Sequence, residues 1–302
     1  MSDTDVRFPS CLGPGGSHVR PARLVSGVDS PSHLRRDKMQ RFREFEIDLN
    51  RRSRVLLLVA TASEREAVFA AAKAVTGSEP TKRFLPHHTV YELGLIGDAE
   101  VLLAQTQPGA VGPGAAAITA SALISRLGPD FLVVTGICFG LREAEQRLGD
   151  VIVCRQLRAI DHRKEIDPDD GGPRIVLIRG DFVSSSVTLF DRFRSAEVGW
   201  TATKVHYGTL LSSSALVDSR ELRADLRRLD PEASGGEMEG AGVYAAAAPE
   251  KVDWIVVKGI SDWGYDKDDA AQEAAAGNAA AFVIGTIRSG ALDERASRAS
   301  LG

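Results

Sequence analysis

From Arg54 to Ser289 the chain alternates strand-length apolar runs with helical patterns, and this alternation limits its fold more than any other feature. "RVLLLVAT" (54–61), "DFLVVTGI" (130–137), "DVIVCRQL" (150–157) and "DWIVVKGIS" (253–261) are near-continuous apolar runs. Such runs suit strands buried on both faces. "TVYELGLI" (89–96) and "EVLLAQT" (100–106) read as a hairpin around Gly97-Asp98, and "VHYGTLLSS" (205–213) as a further strand. Helical spacing fills the intervals: "SEREAVFAAAKAV" (63–75) with a Ser N-cap candidate, "GPGAAAITASALISRL" (112–127) opening on glycine, and "DAAQEAAAGNAAAFVIGTIRS" (269–289). The expectation is one α/β domain over residues 51–292, a three-layer α/β/α sandwich with a central mixed sheet.

Residues 1–50 differ. The Gly-, Pro- and Ser-rich "CLGPGGSHVRPARLVSGVDSPSH" (11–33) has no apolar period and reads as flexible, and "RRDKMQRFREFEIDLNRRSR" (35–54) as a charged, partly helical lead-in or a docking segment. Residues 293–302 read as a flexible tail.

Composition narrows the partners. The formal net charge is −4 and no basic stripe alternates with aromatics, which argues against nucleic acid. No apolar stretch reaches the roughly 20 residues a membrane helix needs, and the N-terminus lacks the pattern of a signal peptide. Cys11, Cys138 and Cys154 share no metal-like spacing and read as reduced thiols of a cytoplasmic protein. His87 and His88, as neighbours on a strand, would point to opposite faces. No metal or organic cofactor is expected.

In open α/β sheets ligands bind beyond the carboxyl ends of the strands. Unusual residues gather at such ends: "VATASEREAV" (59–68) with Glu64 and Glu66, the glycine-rich "AQTQPGAVGPGAAA" (104–117), "VVTGICFGL" (133–141) around Cys138 and Phe139, and "VVKGISDWG" (256–264) with Ser261 and Asp262. "GGEMEGAGVYAAA" (235–247) adds Glu237, Met238 and Glu239 ahead of a small-residue helix. Two carboxylates entering a dry element need partners. Taken singly these residues have ordinary uses: acids on a helix dipole for Glu64, Glu237 and Glu239, and an N-cap for Ser261-Asp262.

Taken in order, these elements resemble the nucleoside phosphorylase/nucleosidase superfamily, with the nearest likeness to 5′-methylthioadenosine/S-adenosylhomocysteine nucleosidases and futalosine hydrolases. The resemblance runs from about Arg54 to Ser289 and implies the nucleoside phosphorylase-like α/β fold. It implies that Glu239 grips the ribose hydroxyls, that Met238 lies under the sugar with Gly235 and Gly236 allowing close approach, and that Glu237 borders the same site. Asp262, oriented by Ser261, would be the general acid that protonates the departing purine. Glu64 would activate water, with Glu66 selected instead by a two-residue slip. Ile137, Cys138, Phe139, Leu216 and Val217 would enclose the base, with Cys138 a pocket wall rather than a nucleophile.

Phosphate-binding relatives need donors, usually arginine, in the glycine-rich loop. "TQPGAVGPG" offers Gln105, Gln107 and backbone amides, which favours water as acceptor. The implied activity is hydrolysis of the N-glycosidic bond of an adenine-type purine nucleoside or nucleotide. A phosphorylase and a non-catalytic nucleoside sensor are the alternatives. "DHRKE" (161–165) could approach a 5′-phosphate through Arg163 or Lys164. The resemblance also implies a homo-oligomer.

Overall fold

The computed structural model describes residues 51–172 and 174–293. The expectations for residues 1–50 and for most of the tail lie outside these residues. Twelve strands and six helices are described: β1 (Arg54–Val59), α1 (Ala62–Thr76), β2 (Thr81–Leu85), β3 (His88–Ile96), β4 (Ala99–Gln105), α2 (Ala116–Leu127), β5 (Phe131–Gly140) and β6 (Val151–Ala159) lead. Next come β7 (Arg163–Ile166), β8 (Ile175–Ile178), β9 (Phe182–Ser184), α3 (Val187–Ala196), β10 (Val205–Ser212) and α4 (Arg220–Leu229). The last are β11 (Ala233–Glu237), α5 (Gly240–Glu250), β12 (Asp253–Asp262) and α6 (Asp269–Arg288).

The apolar runs become central strands for a reason visible in β1. Val55, Leu57 and Val59 face one core with Val68 of α1, Phe193 of α3 and Phe282 of α6. Leu56 and Leu58 face a second core with Ala120 and Leu123 of α2 and Val243 of α5. A strand covered on both faces needs apolar residues at every position. Its neighbours β4 and β5 run parallel to it, and β12 runs parallel to β5.

The main sheet runs β11-β10-β6-β12-β5-β1-β4-β3-β2, with β9 on β6. It is mixed, as expected, since β6 pairs antiparallel with β12. It also curls: β11 pairs back on β5 through Gly235–Gly140 and Gly236–Phe139. That closure gathers the carboxyl ends of β5, β11 and β12 in one place.

Several local expectations change. The N-cap of α1 is Thr61 rather than a serine. His87 sits in the β2–β3 turn with φ 68°, so only His88 belongs to a strand. The glycine pair of the Glu239 stretch lies within a short strand, β11, which the sequence did not mark and which ends at Glu237. Strands β7 and β8 form a separate hairpin that no periodicity announced, because their alternating apolar residues are few and short. Among the described residues no helix is long and apolar enough to cross a membrane.

Candidate active site

One cavity of about 270 Å³ at the carboxyl end of the sheet is lined by Glu64, Ile137, Cys138, Phe139, Leu216, Val217, Gly236, Glu237, Met238, Glu239, Ser261 and Asp262, all singled out from the sequence, whereas Glu66 and Gly235 do not line it. Their elements converge there because the curled sheet directs the ends of β5, β11 and β12 toward the start of α1.

Glu64 enters from the first turn of α1. It closes a capping box: its amide donates to Thr61 Oγ1 at 3.2 Å and its Oε2 accepts from the Thr61 amide at 2.9 Å. Oε2 also accepts from the Ala60 amide at 2.8 Å, and Oε1 from the Ile137 amide at 2.8 Å. The side chain is 2% exposed. Glu66 points away, with its side chain 61% exposed and paired to Arg65. Of the two, Glu64 lies in the cavity and Glu66 does not.

Gly136 is the partner that makes this position possible. A Cβ there would lie 1.9 Å from Glu64 Oε1, and its φ of 142° suits glycine. Gly136→Ala should displace the Glu64 carboxylate and reduce turnover about 10²-fold or more, read by steady-state kinetics. Turnover within a factor of three of the parent would show that the Glu64 position does not matter.

Glu239, at the N-cap of α5, is 7% exposed in its side chain. Its Oε1 accepts from the Gly109 amide of the glycine-rich loop at 3.1 Å, and its Oε2 from Lys258 Nζ at 3.0 Å. Lys258 was missed in the sequence, although a lysine inside the apolar run "IVVKGI" was the available signal. It is fully buried, and its ammonium also lies 3.9 Å from Glu64 Oε1. Burial opposes its charge, but Glu239, Glu64 and Glu237 together outweigh burial and hold its pKa above the ordinary lysine value. The charge that balances the buried carboxylates is thus internal to the protein.

Glu237 borders the cavity, yet its carboxyl turns back on the chain. Oε2 accepts from the amides of Glu239 at 2.9 Å and Gly240 at 2.8 Å, satisfying the start of α5. Burial, and then the neighbouring Glu239 charge, push its pKa above the usual carboxylate range. In the unfolded chain this carboxyl loses its proton in the ordinary range; folded, it keeps the proton to higher pH. Its contribution to stability is therefore full below the ordinary carboxylate range and is lost as pH rises through the raised value. Glu237→Gln keeps an oxygen acceptor and removes the titration. The variant should gain stability relative to the parent as pH rises, by chemical denaturation; parallel pH profiles would refute this.

Asp262 ends β12. Its Oδ2 accepts from Ser261 Oγ and its Oδ1 from the Gly264 amide, each at 2.7 Å. Ser261 Oγ also lies 3.2 Å from the Cys138 carbonyl oxygen. The Asp262 carboxyl is thus held by one donor on each oxygen, with the second lone pair of each left for the cavity.

The aromatic and apolar lining divides. Val217 is buried against Leu141 and Leu211, whereas Leu216, expected to enclose the base with it, is 69% exposed at the rim. Burial drives the Cys138 thiol well above its ordinary pKa, so it stays protonated and serves as wall. Gly235 and Gly236 make room for Phe139: a Cβ at Gly236 would lie 2.2 Å from the Phe139 ring, and one at Gly235 would lie 2.5 Å from the Phe139 carbonyl oxygen, while Gly236 also lines the cavity. Arg163 and Lys164 do not line this cavity; Arg163 pairs with Glu165 and borders a different one. No group of three His, Cys, Asp or Glu side chains among the described residues is arranged to hold a metal ion.

A curled mixed sheet with a carboxylate-lined cavity at its strand ends defines a nucleoside phosphorylase-type protein, and the family model described as the phosphorylase superfamily matches residues 54–288. The chain belongs to that superfamily. Among curated relatives, it is similar to a death domain-containing ATP nucleosidase of Amphimedon queenslandica, 28% identical over 239 residues, covering 71% of this chain and 44% of the relative. The chain thus spans less than half the length of that relative. It is also similar to a 5′-methylthioadenosine/S-adenosylhomocysteine nucleosidase of Staphylococcus saprophyticus, 28% identical over 177 residues, covering 58% of this chain and 74% of the relative. Among solved structures, the nucleosidase of the same name from Neisseria meningitidis, in complex with methylthio-immucillin-A, superposes with a TM-score of 0.64 at 21% identity over 78% of this chain and 99% of that one. Futalosine hydrolase of Helicobacter pylori gives a TM-score of 0.64 at 20% identity over 78% and 98%. These structural likenesses speak to the fold.

Proposed function

We propose that this protein hydrolyses the N-glycosidic bond of a purine nucleoside or nucleotide with an adenine-type base, releasing the free base and the ribose moiety. The observation that carries the reading is the convergence of three carboxylates, Glu64, Glu239 and Asp262, with one internal cation, Lys258, around a single cavity.

In this reading Glu239 accepts hydrogen bonds from the ribose hydroxyls. As the bond to the base breaks, the sugar gains oxocarbenium character and its hydroxyls become stronger donors. The contact tightens in the transition state, which is the condition for it to accelerate the reaction. Lys258 and the Gly109 amide keep the carboxylate in place before substrate arrives. Met238 forms an apolar floor for the sugar. Asp262, held by Ser261 and Gly264, delivers a proton to the imidazole-ring nitrogen of the purine, so that the base leaves neutral.

Glu64 orients the attacking water on the far side of the sugar carbon. Three backbone amides fix its carboxylate in place, so it can hold the water in one orientation. A sugar that is already largely cationic needs only a placed water. The net charge of Glu64, Glu239 and Lys258 is −1, which also suits a developing cation.

Water rather than phosphate is favoured by the same charges. A phosphate in the water's place would sit against the Glu64 carboxylate. Arg65, the nearest arginine in sequence, is turned to Gln105 and Glu66 and does not line the cavity. The test is incubation with purine nucleosides and nucleotides, with and without phosphate, followed by chromatography. Free base plus ribose or its 5′-phosphate supports the proposal. Ribose 1-phosphate, formed only with phosphate, would assign a phosphorylase, and intact ligand would reject catalysis.

A further inference from the structure

Once that reading assigns base, sugar and water, with Ile137 against the base, six lining side chains remain: those of Ala60, Thr61, Pro108, Ala215, Lys267 and Gln272. Ala60 and Ala215 end in methyl groups and Pro108 in its ring, so these three offer no polar atom. Thr61 spends its hydroxyl on the cap of α1. Only Lys267 and Gln272 offer hydrogen-bond donors, and neither side chain has a hydrogen bond or ion pair among the described residues.

We infer that Lys267 and Gln272 form a subsite for a 5′-phosphate, so that the substrates of this cavity are nucleoside 5′-phosphates rather than nucleosides. The inference deepens the proposed function and rests on it. Lys267 ends the loop that follows Asp262, and Gln272 stands in the first turn of α6. The N-terminal end of a 20-residue helix adds a positive potential there. The acidic N-cap, Asp268, already accepts from the Ala271 amide, and Asp266 is paired with Arg220. Lys267 is an exposed residue of the cavity lining whose ammonium has no partner among the described residues, whereas Lys258 lies buried behind the lining and is held by Glu64 and Glu239. A thioether or a hydroxyl gives such an ammonium no charge to meet. A phosphate does, and Gln272 Nε2 supplies a second donor to its oxygens. The pairing also offsets the repulsion that a dianion would meet from the carboxylates deeper in the cavity.

The experiment compares AMP and ATP with adenosine and 5′-methylthioadenosine on the full chain, as the ratio of kcat/KM for phosphate-bearing over phosphate-free substrates. The parent should favour the 5′-phosphates by about tenfold or more. Lys267→Glu should cut that ratio by a similar factor, and Gln272→Ala by less. The KM for the phosphates should rise with salt while that for the nucleosides does not. Equal use of both classes, or a ratio that Lys267→Glu leaves unchanged, would overturn the subsite. Equilibrium binding of AMP and adenosine to Asp262→Asn supplies the same comparison without turnover. Absence of base release would thus reject the proposed hydrolysis while AMP selectivity lost with Lys267→Glu still supported the subsite.

Discussion

Asp262→Asn should lower base release from a purine substrate by roughly 10²- to 10⁴-fold, the range for loss of a positioned general acid. The substitution is close to isosteric. The asparagine oxygen can still accept from the Gly264 amide, which the aspartate holds at 2.7 Å. The new amide can donate to Ser261 Oγ, whose proton then turns to the Cys138 carbonyl oxygen 3.2 Å away. The variant should therefore fold and bind ligand, and the loss should fall on kcat. Unaltered kcat would remove Asp262 as the acid and leave the departure of the base unexplained. A substrate with a base that leaves without protonation should be spared most of the loss, which separates an acid from a mere contact.

Lys258→Met should destabilise the protein by about 3–5 kcal/mol, the cost of leaving buried charges without their partner. Lys258 is fully buried with Glu239 at 3.0 Å and Glu64 at 3.9 Å, so its removal strands two carboxylates in an apolar setting. Urea unfolding of the parent and variant measures the loss. The double variant Lys258→Met/Glu239→Gln should regain much of the stability, because a neutral amide replaces one stranded charge, yet it should not regain turnover. A single variant as stable as the parent would mean that the two glutamates are neutral in the folded state and would undo the charge scheme of the site.

How much of this was legible beforehand differs by element. The strands β1, β5, β6 and β12 announced themselves because burial on both faces demands apolar residues without interruption. The β3–β4 hairpin was marked by Gly97-Asp98. The short strands β7, β8 and β9 and the helices α3 and α4 were not found, since their apolar positions are few and half exposed. Within the site, the positions of Glu64, Glu239 and Asp262 followed from ordered motifs at strand ends. Lys258 escaped because a single charge in a hydrophobic run was passed over as strand. Glu237 and the glycine pair were legible as motif members, but their local tasks were not. Those tasks are set by the amides of Glu239 and Gly240 and by the ring of Phe139, groups brought near by the pairing of β11 with β5.

By itself, then, the order of residues determined the kind of fold and which acids gather at the strand ends, because burial imposes its periodicity locally. Only the tertiary structure placed Glu64 rather than Glu66 in the cavity, disclosed the cation that lets two carboxylates stay buried, and left Lys267 without a partner among the described residues. Each of these depends on distances between residues far apart in the chain, which local pattern does not encode.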